Sequence, residues 1–89
     1  MPPKWEPTSL KRGIPKADVV YAIANATFID TIEDPGLRGG RVVLYIGPEH
    51  GQTARELEVL VEQFDDGREA VIFHVMGLGP KFKRYREEH

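Results

Sequence analysis

The side chains best suited to chemistry crowd the end of the chain, from His74 to Arg86. His74 lies in an apolar run, Ala70-Val71-Ile72-Phe73-His74-Val75-Met76. The run stops at Gly77-Leu78-Gly79-Pro80 and gives way to Lys81-Phe82-Lys83-Arg84-Tyr85-Arg86. Guanidinium and ammonium groups hold phosphate through charge-assisted hydrogen bonds, and aromatic rings beside them stack on unpaired bases. Such a set can cut RNA without a metal. A base removes the 2′-hydroxyl proton, a cation stabilises the crowded phosphate, and an acid protonates the leaving 5′-oxygen. His74, Glu58, Lys81, Arg84 and Tyr85 carry groups able to fill these roles. Lys81, Phe82, Lys83, Arg84 and Arg86, with Lys11 and Arg12 from the other end of the chain, are the candidates for RNA contact. The same terminal segment also suits a solvated turn, with lysine stems lying along the surface and Phe82 as a core plug.

Charge is unevenly spread along the 89 residues. The net charge is −2, yet residues 1–16 sum to +3, residues 17–79 to −7 and residues 80–86 to +4. The field of the whole protein therefore does not draw in nucleic acid, whereas a local patch made by the two ends would. With 40% hydrophobic and 29% charged residues, the composition is that of one small globular domain rather than a disordered tail. There is no cysteine, which excludes disulfides, thiolate chemistry and zinc knuckles and fits a reducing cytosol. His50, His74 and His89 lack the spacing that converges metal ligands, and the glycines match no phosphate-binding loop, so neither metal nor cofactor is expected. The start has no apolar signal core, and no apolar run is long enough to span a membrane.

The elements that must position these groups read as follows. Residues 1–7 are Pro-rich and form an extended arm; residues 8–89 form the domain. Thr8–Arg12 is a short helix stopped by Gly13. Pro15 opens a second helix through Asn25, with Val19, Val20, Ile23 and Ala26 on one stripe. Thr27–Glu33, Arg41–Ile46, Arg55–Phe64 and Glu69–Met76 are strands, with turns at Asp34-Pro35-Gly36 and Asp65-Asp66-Gly67-Arg68. The order predicts an α+β fold: two N-terminal helices packed on a four-stranded, mainly antiparallel sheet, then a short basic C-terminal turn or helix. One sheet face should be covered by the two helices and the other left partly open.

The pairing register decides what His74 faces. A two-residue Asp66-Gly67 turn sets Val59 opposite His74 and makes it a core histidine. A one-residue bulge reverses the side chain and sets it beside Glu58 or Leu60. Both registers are compatible with the sequence.

The order of pieces resembles a known family. Lys11-Arg12-Gly13-Ile14, the helix Ala17-Asp18-Val19-Val20-Tyr21-Ala22-Ile23, the Asp34-Pro35 turn, the sheet, then His74-Val75-Met76 and Pro80-Lys81-Phe82-Lys83-Arg84 are similar to the BrnT-like toxins of bacterial type II toxin–antitoxin systems. The resemblance covers residues 8 to 86 and is strongest to short actinobacterial toxin-like proteins. It implies a RelE-like fold and a cytoplasmic, metal-independent endoribonuclease acting on mRNA. It further implies a cognate antitoxin of ribbon-helix-helix or helix-turn-helix type, with DNA bound only through the complex. Lys81, Arg84 and Tyr85 would then serve RNA contact and phosphate stabilisation, and His74 proton transfer. The chain departs from the family in its short final segment and in lacking a longer first helix with its own histidine. Two other functions fit the same residues: a toxin that binds a protein such as gyrase, and a partner-binding module. In that module Glu56, Glu58 and Glu62 would pair with a basic antitoxin arm.

Overall fold

Alternating apolar residues build the four long strands, and a computed structural model describes residues 3–35 and 38–89 of the chain. β1 (Lys4–Trp5), a 3-10 turn (Pro7–Leu10), α1 (Lys16–Ala24), β2 (Phe28–Pro35), β3 (Arg41–Pro48), β4 (Glu56–Gln63), β5 (Val71–Gly77) and α2 (Pro80–Glu88) follow in chain order. Across the sheet the order is β1-β5-β4-β3-β2; β1 runs parallel to β5 and every other pair is antiparallel.

Each face of this sheet has its own core. Leu57, Val59 and Val61 of β4 and Ile72 and Val75 of β5 pack with Val19 and Ala22 of α1. The helix approaches closely because Gly47 has no side chain: a Cβ there would lie 2.2 Å from the Ala22 carbonyl oxygen. That contact is backbone against backbone, so no rotamer change can relieve it. On the opposite face Ile32, Val42, Leu44 and Ile46 enclose Phe82 of α2, which is 5% exposed.

The expected architecture is corrected by this arrangement. The sheet has five strands and is mixed, because the N-terminal arm contributes β1: Lys4 N–H donates to the Ala70 carbonyl and Glu6 N–H to the Ile72 carbonyl. Two N-terminal helices are expected on one face; the first is only a four-residue 3-10 turn, and it packs along β5. The other face is not open. The basic C-terminal segment is a nine-residue helix laid over it. The RelE-like arrangement expected from the resemblance is thus replaced by a sheet with one α-helix on each side. The Asp34-Pro35-Gly36 turn lies partly outside the described residues, since Gly36 is not among them.

β5 takes the bulged register. Leu60 pairs with His74 and Val61 with Ile72, which leaves Phe73 without a counterpart on β4. Two consecutive carbonyls, those of Ile72 and Phe73, consequently turn to the outer edge. Glu6 N–H satisfies the first and the Thr8 hydroxyl the second at 3.0 Å. The extra residue rotates His74 onto the α2 side, next to Glu58.

Glu62 is a buried acid whose role is structural. Its carboxylate accepts the Arg38 and Gly40 backbone N–H groups at 2.9 and 2.8 Å and pairs with the Arg38 guanidinium at 3.3 Å. Burial alone would push its carboxyl up. The Gly40 and Arg38 backbone donors, the Arg38 side-chain hydrogen bond and its positive charge outweigh that and hold it below the usual 4.5. A lowered folded-state value means that the stabilisation is present above pH 4.5 and is lost as pH falls through that lower value. Glu62→Ala should therefore cost about 1–3 kcal/mol in a urea melt at neutral pH, from the backbone donors it strands. The gap to wild type should shrink in acid; an equal gap at both ends of the titration would contradict this account.

Candidate active site

The bulge brings a carboxylate and an imidazole together at the edge of the second core. Glu58, on β4, is 4% exposed. Its Oε2 lies 2.8 Å from His74 Nε2, and its Oε1 accepts the Gly79 N–H at 2.8 Å. Gly79 is the extended residue just before α2, and Pro80 occupies the first helical turn, where its missing N–H has no consequence. One carboxylate therefore both fixes the Gly79 backbone just ahead of α2 and orients the histidine.

This geometry assigns the imidazole tautomer. A carboxylate accepts, so in the neutral imidazole Nε2 carries the hydrogen toward Glu58 and the lone pair falls on Nδ1. Nδ1 makes no hydrogen bond among the described residues, and no buried side-chain nitrogen or oxygen there lacks a partner, so Nδ1 reaches solvent. The ring is 28% exposed. It lines a recess of about 390 Å³ shared with Glu58, Leu60, Met76, Gly79 and Lys81. A surface-accessible imidazole backed by a buried carboxylate is the arrangement of a general base.

Lys81 sits on the rim. Its Nζ lies 5.1 Å from the centre of the Phe82 ring and forms no ion pair among the described residues. It also borders a neighbouring recess of about 220 Å³ with Ile32, Glu33 and Tyr85. Of the catalytic candidates, His74, Glu58 and Lys81 are therefore the ones that the fold gathers at one recess, which Phe82 also lines.

The other candidates are distributed differently. Tyr85 donates its hydroxyl to Asp30 Oδ2 at 2.6 Å and packs edge-on against Phe28 and Phe82. The hydrogen bond to Asp30, then burial and the charges of Asp30 and Glu33, raise its pKa, so it remains a phenol tying α2 to β2. Arg84 is exposed and, like Lys83, has no ion pair among the described residues. Arg86 is bonded to Glu56 at 2.8 Å. Phe82 is the core plug of the solvated-turn reading. Lys11 and Arg12 are exposed in the turn that follows the 3-10 segment. The three carboxylates expected to meet a basic antitoxin arm are all engaged within the chain: Glu56 by Arg86, Glu58 by His74, Glu62 by Arg38.

Sequence reasoning does not foresee the Gly79 N–H bond to Glu58 or the Asp30–Tyr85 contact. The first has one visible sign, a glutamate set between Leu57 and Val59 in an apolar strand. The second has none, since Asp30 and Tyr85 lie 55 residues apart. Among the described residues no group of three or more His, Cys, Asp or Glu side chains converges as a metal ligand set. No described helix is long and apolar enough to cross a membrane.

No family model matches the chain, and no curated protein or solved structure is similar enough to it to count as a relative.

Proposed function

We propose that this chain is the toxin of a bacterial type II toxin–antitoxin pair and that it cleaves mRNA in the cytoplasm without a metal. The observation that carries the proposal is the hydrogen-bonded Glu58–His74 pair, which lines the same recess as Lys81. The order of residues 8–86, which resembles BrnT-like toxins, gives the biological setting.

In the proposed reaction, His74 Nδ1 takes the proton of a ribose 2′-hydroxyl. The 2′-oxygen then attacks the adjacent phosphorus as the bond from phosphorus to the 5′-oxygen breaks. The Lys81 ammonium offsets charge on the phosphate oxygens and donates a proton to the departing 5′-oxygen. The products are a 2′,3′-cyclic phosphate and a 5′-hydroxyl end. Glu58 keeps the imidazole in its Nε2–H form and stabilises the imidazolium once it forms. Because α2 covers the sheet face, RNA would approach the notch between the end of β5 and the start of α2 rather than lie across a sheet.

The test is purified protein, free of any partner, incubated with cellular mRNA in the presence of a chelator. New fragments ending in 2′,3′-cyclic phosphate are expected. Intact RNA alongside inhibited DNA supercoiling would replace this proposal with a gyrase-binding toxin. Intact RNA, unaffected supercoiling and unimpaired growth on overexpression would point to a partner-binding module.

A further inference from the structure

A second recess lies on the other flank of the Gly77–Pro80 link. It has a volume of about 400 Å³, and Arg55, Lys83 and Arg86 converge on it above a floor of Gly77 and Leu78. The three cations come from two places: Arg55 precedes β4, whereas Lys83 and Arg86 stand about one turn apart on α2. Among the described residues the only acid lining it is Glu56, which Arg86 already holds at 2.8 Å. Arg55 shares its charge with Glu49 at 3.3 Å, and Lys83 has no ion pair among the described residues. The floor makes little demand on the site, since Leu78 N–H is already bonded to the Glu56 carbonyl.

Gly77 has a specific part in this arrangement. A Cβ at that position would lie 3.3 Å from Arg55 Nη2 and 3.6 Å from Nε. The guanidinium therefore rests against the bare backbone at the end of β5. With that position free of a side chain, Arg55 lies low in the groove rather than standing off it.

From this convergence we infer that the groove of Arg55, Lys83 and Arg86 is a phosphate subsite for a single RNA strand, next to the phosphate that is cut. The inference rests on the ribonuclease reading and extends it. Gly79, which borders the His74 recess, and Gly77, which floors the groove, are two residues apart, so their Cα atoms lie within about 7 Å of each other. A backbone lying over the start of α2 meets His74 and Lys81 on one flank and the three cations on the other. Planar guanidiniums bind phosphate oxygens in pairs, and Lys83 adds a compact charge. Phosphate contact fixes the position of the strand and carries no sequence information, so the groove sets how tightly RNA is held rather than which base is chosen.

The test uses the full chain and a short fluorescein-labelled RNA bearing 2′-O-methyl riboses throughout, which the proposed chemistry cannot cut. Binding is read by anisotropy over a salt series for wild type, Arg55→Ala, Lys83→Ala and the double variant. Both side chains are exposed, so the fold should survive. The double variant should bind roughly tenfold more weakly at moderate salt, and the dependence of log K on log salt should flatten by ~0.7 for each phosphate that is no longer neutralised. On cleavable RNA it should raise KM rather than lower kcat. A double variant that binds like wild type with an unchanged salt slope overturns the inference, even where His74-dependent cleavage is observed. So does a wild type that binds no RNA, or equal displacement of the RNA by polyglutamate. Conversely, salt-sensitive binding that disappears in the double variant, with no cleavage by wild type, upholds the groove and removes the nuclease.

Discussion

His74→Ala is expected to slow RNA cleavage by ~10²–10⁴-fold at saturating substrate, the usual contribution of a positioned general base. The loss should fall on kcat, because His74 makes no phosphate contact in the proposed complex and its ring merely lines the recess. Glu58→Gln tests the same pair from behind. The amide oxygen can still accept the Gly79 N–H, which leaves the amide NH₂ facing His74 Nε2. The imidazole must then accept at Nε2 and carry its hydrogen at Nδ1, so the lone pair is withdrawn from the solvent side. A tautomer switch of this kind lowers kcat by up to ~10⁴ in hydrolases that use a carboxylate-backed histidine. Both variants should keep the wild-type circular dichroism and affinity for uncleavable RNA. Because the two side chains act as one unit, the double variant should be little worse than either single change. Cleavage that persists at wild-type rates in either single variant removes the dyad from the mechanism.

How much of this is legible in the sequence differs from element to element. Val42, Leu44 and Ile46, like Leu57, Val59 and Val61, alternate with residues on the other face, and the strands lie within about two residues of their expected ends. That alternation holds because β3 and β4 are packed on both sides, so slipping by one position would exchange two cores. α1 is opened by Pro15 as expected, but its buried stripe is turned from the expected one: Val19 and Ala22 are buried, whereas Val20, expected beside Val19 and Ile23, is exposed. β1 is hidden, since two residues in a Pro-rich arm carry no period; it exists because β5 would otherwise present an unpaired edge. α2 misleads for a different reason. Six of its nine residues are charged, and its apolar side is only Phe82 and Tyr85, three positions apart. Two rings on a short charged helix look like a stacking platform, and in the fold they are what closes the second core. His74 and Glu58 both stand out as candidates, but their meeting depends on a single unpaired residue, Phe73. Nothing in the sequence distinguishes a bulge there from a regular ladder.

The same helix supports the second large prediction. Phe82→Ala should destabilise the chain by ~3–5 kcal/mol, the usual cost of truncating a buried aromatic residue. Domains of this size have total stabilities of about 5–15 kcal/mol, so the variant should melt at much lower urea, and part of it should be unfolded at growth temperature. The ring fills the space between Ile32, Val42, Leu44 and Ile46, and no other buried side chain of α2 reaches that core. Tyr85 and Arg86 hold α2 through Asp30 and Glu56, but both contacts are partly solvated and each contributes far less. Loosening α2 would also draw Gly79 away from Glu58 and carry Lys81 off the rim, so activity and stability should fall together. Phe82→Leu separates the two effects: it keeps most of the buried volume, and should recover most of the stability and the cleavage rate with it. If Phe82→Ala leaves the urea midpoint unchanged, α2 does not close the second core, the expected open face returns, and the route by which RNA reaches His74 must be redrawn.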